Sequence, residues 1–148
     1  MAVVGTTTGK AEYPTERPLK PGDVLALSGG LGAGKTALAR ALIQAATNEA
    51  DEEVPSPTFT LVQTYECPNF EIWHFDLYRL EKSNDALELG IDEAFAEAVS
   101  LIEWPERLGG YLPRRRLDIL LSHGAGEGER EARLIAHGED WRERLAIV

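Results

Sequence analysis

The sequence predicts an α/β fold: a P-loop NTPase-like mixed β-sheet flanked by helices and carrying two β-hairpins. Three observations predict it. The apolar run Val24-Leu25-Ala26-Leu27 leads into "GGLGAGKT" at residues 29–36, and the helix-forming "TALARALIQAA" follows. This is a strand, a glycine-rich turn and a helix, the context that the pattern G-x-x-x-x-G-K-[ST] requires. Two later stretches carry paired β-type runs about short turns, as antiparallel hairpins do. Between them "AVSLIEW" is continuously apolar, as expected of a strand covered on both faces.

Taken in order, residues 1–20 carry Thr, Gly and two prolines without periodicity and read as a loose tail or an irregular strand. Residues 21–148 then form a single P-loop domain. Residues 24–28 are the strand feeding the turn. Gly29, Gly32 and Gly34 let the backbone bend with its N–H groups facing inward, and the helix that follows adds its positive dipole end. That helix runs from about 35 to 46, with Leu38, Ala41, Leu42 and Ala45 on one face. "TNEADEEVPSPT" is too polar and proline-rich for anything but a loop.

Phe59, Leu61, Gln63 and Tyr65 alternate with Thr60, Val62 and Thr64, "CPN" supplies a turn, and residues 70–77 return as a second strand. "SNDALELGIDEAFAEA" reads as helix, capped by Ser83 and broken at Gly90. "AVSLIEW" is a strand stopped by Pro105. "RLDILLSH" and "REARLIAHG" flank "GAGEGE" as a second hairpin, and "DWRERLAIV" closes the chain.

A length of 148 residues fits one domain with a core of its own, and 43% hydrophobic with 27% charged residues places it among soluble globular chains. No apolar stretch is long enough to span a bilayer, and the first 22 residues lack the apolar centre of a signal peptide. Cys67, the single cysteine, cannot form an internal disulfide and reads as a small hydrophobe at a strand end. A cytoplasmic location is expected. The net charge of −10 argues against a chain that grips nucleic acid unaided, because such chains show a basic face. The basic run Arg114-Arg115-Arg116 reads as the solvated start of a strand. A protein partner is the better expectation.

The turn implies phosphate chemistry. Lys35 would reach the β- and γ-phosphates, and the Thr36 hydroxyl would bind the accompanying Mg²⁺. A phosphate loop also needs a carboxylate for the metal or the attacking water, commonly at the end of a buried strand. Glu103 ends "VSLIE" and Asp76 ends "IWHFD". An acid at so apolar a strand tip is costly unless it meets a cation. Periodicity does not divide the two roles between them.

Five segments, "LSGGLGAGKT", "SPTFTLVQTY", "HFDLYRL", "ELGIDEAF" and "LIEWPERL", in this order and spacing, resemble the bacterial TsaE family, formerly YjeE. The likeness runs from about Gly22 to Arg133, and "SPTFTLV" and "HFDLYRL" are more distinctive than the loop. The resemblance implies a P-loop ATPase of threonylcarbamoyladenosine biosynthesis at position 37 of transfer RNA. It implies ATP and Mg²⁺ as cofactors and, as partner, a threonylcarbamoyl-transfer heterodimer of the TsaB–TsaD type, with transfer RNA met only indirectly. Residue by residue, it makes Leu31, Gly32, Ala33, Gly34, Lys35 and Thr36 the phosphate cradle. Thr36 and Glu103 become the metal residues, and Asp76 the Walker-B-like acid near the γ-phosphate and water. Thr58 falls in a switch-like loop, Trp104 follows the metal-site acid with a place in the core as its alternative reading, and Arg130 and Arg133 match a basic stretch near the nucleotide, with cross-strand charge pairing as theirs. His74 and Arg79 flank Asp76 in structural roles.

Two departures stand out. Gly30 occupies a position where the family commonly has an acid, and the "TTTGKAEYPTERP" segment does not read as the helix that usually precedes the first strand. A small-metabolite kinase, a GTPase-like switch and a nucleotide binder without hydrolysis are the competing readings. The polar Pro/Ser/Thr loops and the lack of an N-K-x-D guanine-reading motif weigh against the first two.

Overall fold

A computed structural model of the chain describes residues 4–8, 19–30, 33–49, 53–123 and 130–145, with the backbone alone for 4–8 and 130. In chain order its strands and helices are β1 (Val4–Thr8), β2 (Val24–Ser28), α1 (Lys35–Thr47), β3 (Val62–Glu66), β4 (Glu71–Asp76), α2 (Ile91–Glu97), β5 (Val99–Glu103), β6 (Arg116–His123), β7 (Arg130–His137) and α3 (Glu139–Leu145). Short 3₁₀ segments cover Ser83–Leu89 and Pro105–Tyr111.

The seven strands form one sheet in the order β1-β7-β6-β2-β5-β4-β3. β2 lies parallel to β5 and β6, and β4 parallel to β5. The two hairpins add β3 and β7 antiparallel, so the sheet is mixed in the expected way. Val24 to Leu27 are all buried because helices cover both faces of this central strand. Leu25, Leu27, Val99, Leu101, Leu117 and Ile119 meet α1 and Trp141 of α3 on one face. Val24, Phe75, Leu77 and Ile102 meet α2 and the 3₁₀ segments on the other.

Several local expectations shift. Val4–Thr8, inside the segment expected as a loose tail or irregular strand, pairs antiparallel with β7 from Val4↔Ile135 to Thr8↔Glu131. The buried stripe of α1 is Lys35, Ala39, Leu42, Ile43 and Ala46, whereas Ala45 is exposed. The expected face was rotated, because two alanine-rich stripes are nearly equivalent by hydropathy and Ile43 decides in favour of this one by its size. Phe59 to Leu61 form a turn before β3 rather than its first residues. The stretch 83–89 is 3₁₀ rather than α, and Ser83 does not cap it; its hydroxyl donates to the Arg107 carbonyl at 2.9 Å. Gly90 does break the segment, as expected. The arginine run is more engaged than a solvated strand start: Arg115 bonds Asp23, and Arg116 bonds Asp118. No helix among the described residues is long and apolar enough to cross a membrane.

Candidate functional site

The parallel strands β2, β4 and β5 all end on one edge of the sheet, and an open α/β sheet binds ligands at that edge. At Gly29, just after β2, φ is 149°, and a Cβ would stand 2.6 Å from the Leu121 carbonyl oxygen. Only glycine lets the chain turn this close to β6. Gly34, with φ 102°, is left-handed and delivers the chain into α1 without a side-chain cap. The first N–H groups of α1 and the positive end of its dipole are therefore left for an anion. Leu31 and Gly32 lie outside the described residues.

Lys35, the first residue of α1, is buried to 6% exposure. Its Nζ donates to the carbonyls of Gly29 and Gly30 and sits 4.0 Å from the centroid of the Trp104 ring. These are neutral partners. A phosphate oxygen would be a stronger acceptor, since charge-assisted bonds are about twice as strong as neutral ones.

The next residue, Thr36, donates its hydroxyl to Glu103 Oε1 at 2.8 Å. Glu103 closes β5 and is 2% exposed. Its register partner on β4 is Asp76, so the two carboxylates end neighbouring strands. Asp76 Oδ1 accepts the Tyr78 N–H at 3.1 Å. Its Oδ2 lies 3.3 Å from the hydroxyls of both Ser56 and Thr58, which are themselves 2.8 Å apart. The loop carrying them is bent back at Leu61, a left-handed residue (φ 68°) whose N–H bonds the Pro57 carbonyl at 2.7 Å.

Trp104 follows Glu103 in a left-handed conformation, φ 59° and ψ 52°, which is strained for a bulky side chain. That turn lays its ring over the Lys35 ammonium and against Tyr78, with ring centroids 4.9 Å apart. Arg79 stacks on the largely exposed ring of Phe59, Cζ to centroid 4.6 Å.

These groups surround one cavity of about 420 Å³, within the usual range for small-molecule sites of roughly 300–1,000 Å³. Ala33, Gly34, Lys35, Thr36, Thr58, Asp76, Arg79, Glu103 and Trp104 line it. Ser56 and Tyr78 line it too and were not singled out from the sequence, although both stand inside the quoted segments "SPT" and "DLYRL". His74 stands behind Glu103 instead of at the wall. The Arg130 backbone pairs with His123 in the hairpin and its side chain is outside the described residues; Arg133 is exposed on β7 and does not line the cavity.

Thr36, Asp76 and Glu103 offer hard oxygen donors, which suit Mg²⁺. No group of three or more His, Cys, Asp or Glu that could hold a metal occurs among the described residues. An ion that keeps waters and takes substrate phosphates as ligands needs no such cage.

The family model described as "Threonylcarbamoyl adenosine biosynthesis protein TsaE" matches residues 6–132. The chain belongs to the TsaE family. Among its relatives is the tRNA threonylcarbamoyladenosine biosynthesis protein TsaE of Rickettsia bellii, 42% identical over 103 residues, 70% of this chain and 71% of that protein. The TsaE of Bacillus subtilis is 39% identical over 120 residues, 80% of this chain and 73% of that one. The match to the Rickettsia conorii TsaE spans only 50% of that protein. The crystal structure of Bacillus subtilis YdiB superposes with a TM-score of 0.77 at 29% identity, covering 99% of this chain and 94% of that one. In this TsaE-family chain a Cβ at Gly30 would meet nothing within 4 Å among the described residues.

Proposed function

We propose that the chain binds Mg-ATP in the 420 Å³ cavity and hydrolyses it in support of threonylcarbamoyladenosine formation on transfer RNA. Family membership supports the pathway. The observation that carries the chemistry is convergence: Lys35, Thr36, Thr58, Asp76 and Glu103, spread over 69 positions of sequence from 35 to 103, line one cavity at the start of a helix.

In this reading Lys35 and the α1 N-terminus hold the phosphates. Thr36 and Glu103 hold Mg²⁺, which when bound neutralises charge on the β- and γ-phosphates. Asp76 orients the attacking water near the γ-phosphate. Ser56 and Thr58 already bond to Asp76, so their loop is coupled to the acid that faces the scissile phosphate.

That coupling supports a switch. A loop ordered by the triphosphate and relaxed after hydrolysis can report the nucleotide state to a partner. The partner is a threonylcarbamoyl-transfer heterodimer of the TsaB–TsaD type, a reading supported by the net charge of −10, which disfavours holding RNA directly. By linkage, a partner that prefers the ordered loop tightens ATP binding by the same factor.

The test measures ATP consumption with and without the heterodimer, and heterodimer affinity with ATP analogue, ADP or no nucleotide. Slow hydrolysis alone, faster hydrolysis with the partner and tightest association in the ATP-analogue state are expected. Thr58→Ala should weaken that nucleotide dependence more than it weakens ATP binding by the isolated chain. Equal heterodimer affinity in all three states would remove the switch.

A further inference from the structure

His74 is fully buried, with 0% exposure, in a chain whose other two histidines are partly or well exposed. Side chains alternate along β4, so Ile72, His74 and Asp76 share one face and Phe75 takes the other. Ile72 packs with the α1 core and Phe75 with the opposite one, which places His74 beneath α1 and one step behind Asp76. Across the parallel pair its register partner is Leu101, two residues before Glu103.

Its Nε2 lies 2.6 Å from Glu103 Oε2. The carboxylate can only accept, so Nε2 is the nitrogen that carries the proton. The two oxygens of Glu103 are thereby divided: Oε2 faces the imidazole and Oε1 faces the Thr36 hydroxyl. Nδ1 is buried and has no hydrogen-bond partner among the described residues. A buried nitrogen without a partner costs stability, and an apolar side chain would fill this place without that penalty. The cost is intelligible if the other nitrogen has work to do at Glu103.

We propose that His74 is a positioning residue for the metal-site carboxylate. Its Nε2–H holds Oε2 and so keeps Oε1 turned toward Thr36, where the two oxygens can share a cation. Groups that orient a metal ligand in this way typically change metal affinity by about 10–100-fold when removed. The inference rests on the reading of Glu103 as the Mg²⁺ acid, and it adds a residue that touches neither nucleotide nor metal.

The test measures affinity for a non-hydrolysable ATP analogue by calorimetry, in EDTA and across a Mg²⁺ titration, for wild type, Glu103→Gln, His74→Leu, His74→Gln and His74→Asn. Glutamine can place its amide where Nε2 lies, whereas asparagine reaches only the Nδ1 position. His74→Leu and His74→Asn should raise the Mg²⁺ concentration at half-effect about 10–100-fold while binding in EDTA stays unchanged. His74→Gln should fall within a few-fold of wild type. A wild-type Mg²⁺ response in His74→Leu, with Glu103→Gln impaired, would overturn the role of His74 and leave the metal reading standing. An unaltered response in Glu103→Gln would overturn both. Loss of binding even in EDTA would show His74 to be merely structural. Should His74→Leu not fold, the glutamine–asparagine pair decides, and equal Mg²⁺ responses in the two overturn the proposal.

Discussion

The two ends of the central strands treat buried acids in opposite ways. At their amino ends Asp23, fully buried, is closed in by cations. Arg144 donates to both of its oxygens at 2.9 and 2.8 Å, Arg115 donates to Oδ1 at 3.1 Å, and the Lys20 N–H reaches Oδ2 at 2.9 Å. Arg144 lies flat on Trp141, 3.9 Å from the ring centroid, so α3 is tied to the start of β2. At the carboxyl ends Asp76 and Glu103 are nearly as buried, at 6% and 2% exposure. Among the described residues their partners are hydroxyls, a backbone N–H and one imidazole, and neither forms an ion pair with Lys or Arg. One end spends its charges on holding the fold. The other keeps negative charge beside a buried lysine, an arrangement that a bound cation and phosphate would complete.

Removing one acid from each end gives the largest contrast. Asp23→Ala removes the buried carboxylate that Arg144 and Arg115 share and leaves Asp140 as their remaining acid among the described residues, so it should cost about 3 kcal/mol, lowering Tm on the order of 10 °C. Asp76→Ala opens only onto the cavity and should leave Tm within a few degrees while lowering turnover at saturating ATP far more than ATP affinity. Thermal unfolding and steady-state ATP hydrolysis on both variants measure this. Equal losses of stability would erase the distinction between the ends.

Lys35→Ala sharpens the contrast from the cationic side. It removes a charge-assisted contact to phosphate worth about 1.5–3 kcal/mol, so ATP affinity should fall about ten- to a hundredfold in calorimetric titration. Unchanged affinity would end the phosphate-loop reading.

The smallest effect is on pH. Burial works against ionisation of Asp140, but its hydrogen bond to Arg115 and the charges of Arg115 and Lys20 outweigh that and hold the carboxyl below its ordinary value. Burial likewise works against the Arg115 charge, yet bonds and charges from Asp140 and Asp23 leave its guanidinium held above its usual value. A depressed carboxyl contributes stability that is complete above its unfolded value, about pH 4, and is lost as pH falls through the lower folded one. Between pH 6 and pH 3 the urea midpoint of wild type should therefore fall more steeply than that of Asp140→Asn. Parallel curves would detach Asp140 from the clamp. Exposure of this pair keeps the difference modest.

Much of the site was legible because its signals are local. A strand, a glycine turn and a helix follow one another within 24 residues, from Val24 to Thr47, and hairpin alternation is visible within each pair of strands. Asp76 and Glu103 stood out because each ends an apolar run. Ser56 and Tyr78 were within the quoted motifs but had nothing in composition to separate them from ordinary loop residues. The buried face of α1 was misjudged because alanines give the hydropathy pattern little contrast. Gly29 was legible as a turn, while its close approach to Leu121 on a strand 92 positions later was not.

By itself, then, the sequence determined most element types, the mixed sheet, the glycine-rich turn between strand and helix and the two strand-end acids. Each depends on backbone preference or periodicity over a few neighbouring residues. Tertiary structure alone decided who meets whom: Thr36 with Glu103 across 67 positions, His74 with Glu103 across 29, and Asp23 with Arg144 across 121. It also decided that Trp104 turns left-handed to cover Lys35. Those choices follow from the order in which strands close into the sheet, because strand order, and not distance along the chain, brings side chains within the few ångströms over which hydrogen bonds and buried charges act.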